Sequence, residues 1–420
     1  MPTAAGPNSN EQGLVFAIDL GDIKNSYVGE PTTNLVTNPT FIGIPNTQTG
    51  GPSKNWVFSG ESSATGFQFY DADTSPIPLK FPDEGAVITK GANGAGSNRR
   101  IYINTTLLPN TTYTFSCWMY FGKNFASAWS QFQYDSSNTN LTSTYFPAFS
   151  TFAANNGYTT EEWFRWEGTL TTEPTTSWCY IGPVISKGAD CLVAMQRMQM
   201  EIKPHATSFV NGVRSSTQGL LDLTGNKTIN LNNISFDSNS QITFDGTDDY
   251  ITVTPGKQYT IAEPWTTELV FKPTDQNDTS WNGLFGGYLT VGGYWMFHGG
   301  GSLTYYEGHD SVNNSTKITY RSWNKENTFT AGVYHHLTIV YTPGVAPNGN
   351  FDIYYNGGQK VDSFVRTFTW NYSLDMQFIG SGSGNRHGTN DVHYFRQYSR
   401  SLSAEEVANN YNVLKKRFNI

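Results

Sequence analysis

The sequence predicts an all-β protein of two β-sandwich (jelly-roll) domains, one of them discontinuous, with a short C-terminal helix. Aromatic residues make up 15% of the 420 residues, charged residues only 14%, and 41 residues are glycine. Aromatic and β-branched side chains suit a pleated surface, whereas glycine suits the turns between strands. Short apolar runs separated by turn signals recur along the chain, as expected of a sandwich.

The first half of the chain predicts an arm, one strand and a separate unit. Residues 1–12 are polar and contain glycine, proline and asparagine, which predicts an extended N-terminal arm. The apolar run Leu14–Leu20 is short, as in a buried strand. The chain changes character near Asn34, and we predict a unit over residues 34–210. Its predicted strands are Ala86–Lys90, Arg100–Asn104, Tyr113–Phe121, Glu162–Leu170, Ser177–Ile181 and Met195–Ile202.

From Gly219 onwards, strand signals repeat between glycine- and asparagine-rich turns. His335 and His336 open one of these strands, where alternation predicts one packed ring and one ring facing solvent. The predicted strands are Thr267–Lys272, Leu284–Leu289, Lys317–Arg321, His335–Tyr341, Phe351–Tyr355, Lys360–Thr367 and Met376–Ser381.

The C-terminus carries the signal of a helix. Ser403 and Glu406 form a capping-box pattern, in which each side chain caps a backbone amide of the other residue. Val407, Tyr411 and Leu414 then fall on one face at helical spacing. We therefore predict one short amphipathic helix at the C-terminus.

The unit at residues 34–210 resembles a known family of modules. It opens with Asn34–Phe41, carries the strand Tyr113–Phe121, and closes with Gln199, Glu201 and the run Ala206–Phe209. In this arrangement it resembles the carbohydrate-binding-module-like jelly rolls of phage fibres. The resemblance implies a compact jelly roll with a sugar-binding character.

Segments near both ends resemble a second family. These are Gly13–Gly21, Leu220–Asn226, Phe244–Ile251 and the closing segment Tyr394–Glu406. Together they resemble laminin-G-like (concanavalin A-like) domains of phage structural proteins, in which such pieces follow one another closely. Here almost half of the chain separates the first two. The resemblance implies that residues 13–33 and 215–420 form one discontinuous sandwich, into which the jelly roll is inserted.

Charge and cysteine content exclude several classes of function. The net charge is −8, and Lys415–Arg417 is the one basic run, so we expect no nucleic-acid binding. Cys117, Cys179 and Cys191 are spaced neither as a disulfide framework nor as a zinc site. No signal peptide or apolar membrane span is visible, and we expect no membrane insertion.

The acidic residues do not predict catalysis. Glycoside hydrolases need two carboxylates that face each other across the scissile bond. Glu161–Glu162 and Asp248–Asp249 are adjacent pairs, which on a strand would point to opposite faces. We therefore predict that the protein is not an enzyme and name no catalytic residue.

One short segment contains candidate calcium ligands. Asp245, Asp248 and Asp249 supply carboxylates, which suit a hard cation. The spacing of an EF-hand is absent, and the alternative is a plain turn between the strand residues Phe244 and Tyr250. We expect no other metal or cofactor.

Several aromatic residues are candidates for a sugar-binding surface. Sugars present apolar C–H faces ringed by hydroxyls, so flat aromatic rings beside amides and hydroxyls suit them. The alternative is that these rings form sandwich cores, where aromatic side chains supply most of the buried area. The candidates are Trp281, Tyr294, Trp295, Tyr305 and Trp323, and Trp129 in the unit at residues 34–210.

The resemblances imply a function that composition alone does not give. They imply a non-enzymatic bacteriophage protein on the virion surface, assembled in the host cytoplasm, as a capsid decoration, head or neck appendage, or fibre. Its partners would be other virion proteins, host-surface glycans and further copies of the same chain. The alternatives are a tail-fibre receptor-binding protein and a polysaccharide-degrading depolymerase.

Overall fold

A computed structural model describes most of the chain. The described residues are 11–22, 24–43, 56–59, 67–90, 99–122, 127–137, 139–146, 152, 154–185, 192–236, 242–259, 262–274, 282–287, 294–299, 302–307, 319–324, 330–345, 349–357, 360–365, 374–381 and 387–420. They divide into two compact units: residues up to Pro31 together with Ser215–Ile420, and Thr32–Arg214. We call them the outer-chain unit and the mid-chain unit.

The strands of the first half of the chain are β1 (Leu14–Asp19), β2 (Thr32–Thr33), β3 (Trp56–Ser59), β4 (Phe67–Tyr70), β5 (Ala86–Lys90), β6 (Arg99–Thr106), β7 (Thr112–Phe121), β8 (Ser127–Tyr134), β9 (Asn140–Phe146), β10 (Trp163–Thr171), β11 (Trp178–Ile185), β12 (Leu192–Glu201) and β13 (Val213–Arg214).

The second half contains β14 (Thr228–Asn232), β15 (Ser235–Phe236), β16 (Ile242–Thr243), β17 (Tyr250–Tyr259), β18 (Trp265–Pro273), β19 (Asn282–Gly286), β20 (Tyr294–Gly299), β21 (Ser302–Glu307), β22 (Thr319–Asn324), β23 (His335–Pro343), β24 (Gly349–Tyr355), β25 (Lys360–Val365), β26 (Leu374–Ile379), β27 (Asn390–Tyr398) and helix α1 (Ala404–Phe418).

The outer-chain unit is a sandwich of two antiparallel sheets. One sheet has the order β1-β27-β18-β23-β24-β25, and the other has the order β14-β17-β26-β19-β20-β21-β22. A continuous apolar core contains side chains of both sheets, among them Phe16, Ile18, Ile251, Trp265, Phe285, Ile339 and Phe395. The all-β fold class and the sandwich are therefore confirmed.

Strand β1 joins this sandwich at the edge of its six-stranded sheet. It pairs antiparallel with β27, so that Asp19 lies opposite Tyr394. Its backbone is also held from residues far along the chain, because the Ala17 amide donates to Asp222 at 3.0 Å. Arg417 in helix α1 forms an ion pair with Asp19. The N-terminal strand is thus fixed by partners from the C-terminal half.

The mid-chain unit contains two five-stranded sheets, β10-β7-β12-β5-β4 and β3-β6-β11-β8-β9. Its first and last strands, β2 and β13, pair with each other. Two buried polar residues hold this region. The Glu201 carboxylate accepts hydrogen bonds from Thr32, Gln199 and Thr207. The Asn34 amide bonds to four backbone groups of this unit.

Helix α1 covers the outside of the six-stranded sheet and confirms the predicted C-terminal helix. Ser403 and Glu406 form the capping box as predicted. Val407 packs with Tyr398, and Leu414 packs with Tyr394. Tyr411 lies on the same face, against the His336 ring, and the structure adds the fully buried Asn410 to this face.

A buried polar cluster joins the helix to the sheet. Glu268 accepts hydrogen bonds from His336 at 2.9 Å and from Asn410 at 3.0 Å, and Tyr398 also donates to it. His335 and His336 are both buried, which corrects the predicted alternation. The physical reason is that His335 faces the sandwich interior, while the helix covers His336 on the other side.

No helix in the described part of the chain has the length and apolar character of a membrane span.

We predict that Glu268→Ala lowers the free energy of unfolding by about 3 kcal/mol, because it leaves the buried partners His336, Asn410 and Tyr398 without their acceptor. Urea unfolding followed by circular dichroism measures this. Lys360→Ala, which removes a partly exposed ion pair with Asp352, is the matched control and should cost less than about 1 kcal/mol. Equal losses in the two variants would contradict the role of the cluster.

Candidate functional site

The structure fixes the strand positions of most predicted sugar-binding residues. Trp281 lies outside the described residues. The other five lie on strands whose pairing is defined. Residues directly opposite each other in an antiparallel pair lie on the same face of the sheet. The register therefore says which of the two faces each candidate position belongs to.

One row of residues crosses the whole seven-stranded sheet on its core side. In this inner row, Leu231, Ile251, Ile379 and Phe285 are buried in the sandwich core. The register continues from Phe285 to Met296, Tyr305 and Arg321. Tyr294 lies two residues from Met296 on β20, and Trp323 lies two residues from Arg321 on β22. Both positions therefore lie on the same face as Tyr305.

A second row crosses the sheet on the other side. It consists of the residue adjacent to the inner row on each strand. This outer row consists of Asn230, Thr252, Phe378, Gly286, Trp295, Tyr306 and Tyr320. Trp295 is the one predicted candidate in it. The predicted residues are therefore divided between the two faces, and Tyr306 and Tyr320 join Trp295 instead.

The described side chains of the outer row are polar and reach solvent. Asn230, Asn232 and Thr252 are half-buried, whereas their strand neighbours Ile229 and Leu231 are buried. The Asn232 amide donates to the Thr252 hydroxyl at 3.2 Å and to the Tyr250 carbonyl at 3.3 Å. The outer row thus combines hydroxyl and amide groups at one end of the sheet with aromatic positions at the other.

The mid-chain unit has a comparable surface on the sheet β3-β6-β11-β8-β9. Trp178 lies opposite Tyr134, and both side chains are half-buried. Their rings are stacked, with centroids 4.2 Å apart and planes at 8°. The row continues to Thr106 on one side and Asn140 on the other. Two aromatic rings therefore lie between a hydroxyl-bearing and an amide-bearing position.

The next positions on this face continue the pattern. Asn104 lies opposite Tyr180, Tyr180 opposite Phe132, and Phe132 opposite Ser143. This face is the outer one, because Leu107, which directly follows Thr106, is buried in the core of the unit. We call the face defined by Trp178, Tyr134, Tyr180 and their row neighbours the Trp178 face.

Trp129, the predicted candidate in this unit, lies on the opposite side from the Trp178 face. Trp129 pairs with Pro183 on β11 and with Phe146 on β9. It lies five residues from Tyr134 on the same strand, and an odd separation places two residues on opposite faces. Trp178 was not selected from the sequence. The alternation of side chains along β11 places Trp178 and Tyr180 on one face. Deciding that this face is the outer one also requires the position of the core, which the sequence of β11 does not give.

The predicted calcium loop brings three carboxylates together. Ligand oxygens of Asp245, Asp248 and Asp249 lie within 4.8 Å of one another. The prediction that Asp248 and Asp249 point to opposite faces is wrong, because both precede β17 in a loop. Asp245 accepts the amide hydrogen of Thr247, and Asp249 accepts that of Asp245. One carboxylate oxygen of Asp245 and one of Asp249 are therefore occupied by hydrogen bonds that stabilise the turn.

Asp249 is the buried member of this loop, and Asp245 and Asp248 are exposed. Burial raises the pKa of Asp249 to about 6, and the neighbouring charges of Asp245 and Asp248 act in the same direction. The His387 ring donates a hydrogen bond to the Asp249 carbonyl at 3.3 Å. The donor set suits a hard cation, and calcium binding here stays a prediction.

We predict that Asp249→Asn gains stability relative to the wild type as pH rises. The folded-state pKa lies above the ordinary value, so the wild-type carboxyl must ionise in a buried position between about pH 4 and 6. Melting temperatures in the presence of a chelator should diverge across that window and run parallel above about pH 7. Asp83→Asn, at an exposed position, is the control. A difference that does not change with pH would contradict the prediction.

Calcium binding is tested by melting curves at increasing calcium concentration. A bound ion raises the melting temperature progressively, because it binds the folded state alone. Asp248→Asn removes an exposed candidate ligand and should abolish that rise. A rise of the same size in the variant would exclude Asp248 as a ligand.

The sequence of the outer-chain unit is similar to a known superfamily. Residues 245–408 match a family model described as the concanavalin A-like lectin/glucanases superfamily. This confirms the resemblance to a concanavalin A-like sandwich for that part of the chain. No curated protein sequence matches the chain significantly.

Solved structures similar to the chain include receptor-binding domains of botulinum neurotoxins. The receptor binding domain of botulinum neurotoxin D is 14% identical with a TM-score of 0.38, covering 47% of this chain and 51% of that one. The serotype D ligand binding domain in complex with N-acetylneuraminic acid is 15% identical with a TM-score of 0.37, covering 47% and 49%. The chain thus spans about half the length of these structures, and the likeness is too distant to assign a ligand.

Proposed function

We propose that the protein is a non-enzymatic glycan-binding protein that holds sugar chains on the outward faces of its sheets. The observation that carries the proposal is the stacked pair Tyr134 and Trp178, half-buried and flanked along one row by Thr106 and Asn140. Aromatic faces pack against the C–H faces of sugars, while amides and hydroxyls bond the ring hydroxyls. The concanavalin A-like sequence match supports the proposal.

The shape of the surface supports a chain of sugars as the ligand. The Trp178 face extends over four neighbouring strands, β6, β11, β8 and β9. Strands lie about 4.8 Å apart, so the face is roughly 14 Å across. A row of this length accommodates several rings of an oligosaccharide lying across the strands. The outer row of the other unit offers a second surface of the same kind.

Binding without cleavage fits the described acidic groups better than hydrolysis. A glycoside hydrolase needs a protonated carboxyl that reaches the glycosidic oxygen. Asp249 has the raised pKa of such an acid, but the residue is buried, with 1% of its surface exposed. A polysaccharide on the surface therefore does not reach it. The depolymerase remains the alternative that product analysis would detect.

We further propose that the protein belongs to the surface of a bacteriophage particle. The support is the resemblance of its segments, above all Phe244–Ile251 and Tyr394–Glu406, to phage structural proteins. In that setting it would contact other virion proteins and host glycans, act as a homo-oligomer and assemble in the host cytoplasm. Mass spectrometry of purified particles tests this: the protein should co-purify at fixed copy number, and its absence would contradict the assignment.

We predict that Trp178→Ala weakens binding of a neutral oligosaccharide about tenfold or more, because it removes one ring of the stacked pair. A glycan array identifies the oligosaccharide, and calorimetry measures its affinity. Trp163→Ala is the matched control, because it removes a half-buried tryptophan from the other sheet of the same unit. No binding to any glycan, or equal losses in the two variants, would contradict a site on the Trp178 face.

Trp295→Ala tests the outer row separately. If both surfaces bind sugar, this variant lowers the number of bound oligosaccharides per chain while the affinity of the Trp178 face is kept. An unchanged number would restrict the function to the mid-chain unit.

A further inference from the structure

A second surface of the mid-chain unit combines an aromatic ring with cations. It lies on the sheet β10-β7-β12-β5-β4, where Arg165, Trp118 and Gln196 are directly opposite one another on three strands. This is the outer face, because the neighbours of Trp118, Cys117 and Met119, are buried in the core. We call Trp118, Lys80, Phe81 and Arg165 the Trp118 patch.

The tryptophan ring is flanked by positive charge. The Lys80 ammonium lies 4.7 Å from the centre of the Trp118 ring, and Phe81 meets the same ring edge-on with centroids 5.8 Å apart. The Trp118 side chain is half-buried and Lys80 is exposed. The patch therefore presents part of an aromatic ring to solvent beside an ammonium group.

Among the described residues, neither cation of the patch forms an ion pair with a carboxylate. Arg165 donates to the Ser116 hydroxyl at 3.2 Å and to the Thr207 carbonyl, both uncharged. Within the described part of the chain, neither Lys80 nor Arg165 has an acidic side chain at ion-pair distance. Neither charge is therefore held in an ion pair among the described residues, in a protein whose net charge is −8.

A third cation holds the segment that carries Lys80. Arg197 lies 3.3 Å above the Phe81 ring and forms an ion pair with Glu84, so its charge is already neutralised. It sits at an irregularity of β12 with a φ of 51°, a conformation that non-glycine residues adopt rarely. Arg197 is therefore a positioning residue, which fixes Phe81 and with it the neighbouring Lys80.

We propose that the Trp118 patch binds a carboxylated sugar chain. The exposed part of the indole takes an apolar sugar face, and Lys80 and Arg165 pair with the uronate or sialate carboxylate. Charge complementarity supports this occupant, because an acidic polymer is repelled by the protein as a whole and favoured beside Lys80 and Arg165. The proposal rests on the proposed glycan-binding function and adds a separate site with its own ligand class.

The probe that tests the proposal is a galacturonic acid hexamer, compared with the same hexamer after reduction of its carboxyls to hydroxyls. Calorimetry on the full chain should show binding of the acidic hexamer and much weaker binding of the reduced one. Added sodium chloride should weaken the acidic interaction, because salt screens exposed charges.

Lys80→Gln should weaken binding of the acidic hexamer about fivefold or more, because it removes one charge-assisted contact. Lys80 is exposed, so the variant is expected to fold, and circular dichroism checks this. Lys24→Gln, at an exposed lysine of the other unit, is the matched control and should leave the affinity unchanged. Arg165→Lys keeps a charge at the second position and should retain most of the affinity.

The outcomes separate this proposal from the glycan-binding function itself. If a neutral oligosaccharide binds and responds to Trp178→Ala, but the acidic hexamer does not bind, the proposed function stands and the Trp118 patch is a packing feature. Equal effects of Lys80→Gln and Lys24→Gln, or equal binding of acidic and reduced hexamers, would also overturn the patch.

Discussion

The pairing of β1 with β27 is the constraint on which the outer-chain unit depends. Among the described strands, it places the first beside the last, with Asp19 opposite Tyr394. Phe16 and Ile18 thereby enter the core, and Arg417 of the helix reaches Asp19. Residues 32–214 separate β1 from its partners in sequence only. The first and last strands of this segment, β2 and β13, pair with each other. The chain therefore enters and leaves the mid-chain unit at adjacent positions, which is how a long segment can separate two paired strands in sequence.

The helix decides which surfaces of the sandwich can meet a ligand. Helix α1 covers the outside of the six-stranded sheet and buries Tyr398 and Tyr394 there. The outer row of the seven-stranded sheet instead carries half-buried Asn230 and Thr252. Strand alternation sends apolar residues inward, so aromatic positions such as Trp295 on the outer side need another explanation. The proposed sugar-binding surface would account for such positions, and the same reasoning applies to the Trp178 face.

Local signals in the sequence predicted local structure well. The capping box at Ser403 and Glu406 needs only neighbouring residues, and it is present as predicted. The face of the sheet on which a residue lies was harder to predict. It depends on the register between strands and on which side of the sheet another element covers. Tyr305 and Trp295 are close in sequence and alike in type, yet they lie in different rows. Helix α1 likewise buries His336, a contact that the strand pattern alone does not contain.

The most direct test of the account is hydrogen–deuterium exchange of the full chain with and without a bound neutral oligosaccharide. The account predicts slower exchange in β8 and β11, the strands that carry Tyr134 and Trp178, because a sugar chain lying across them shields and stiffens their backbone. Exchange in helix α1 should not change. Protection confined to the loop of Asp245, Asp248 and Asp249, with none in β8 or β11, would contradict a binding surface on the Trp178 face.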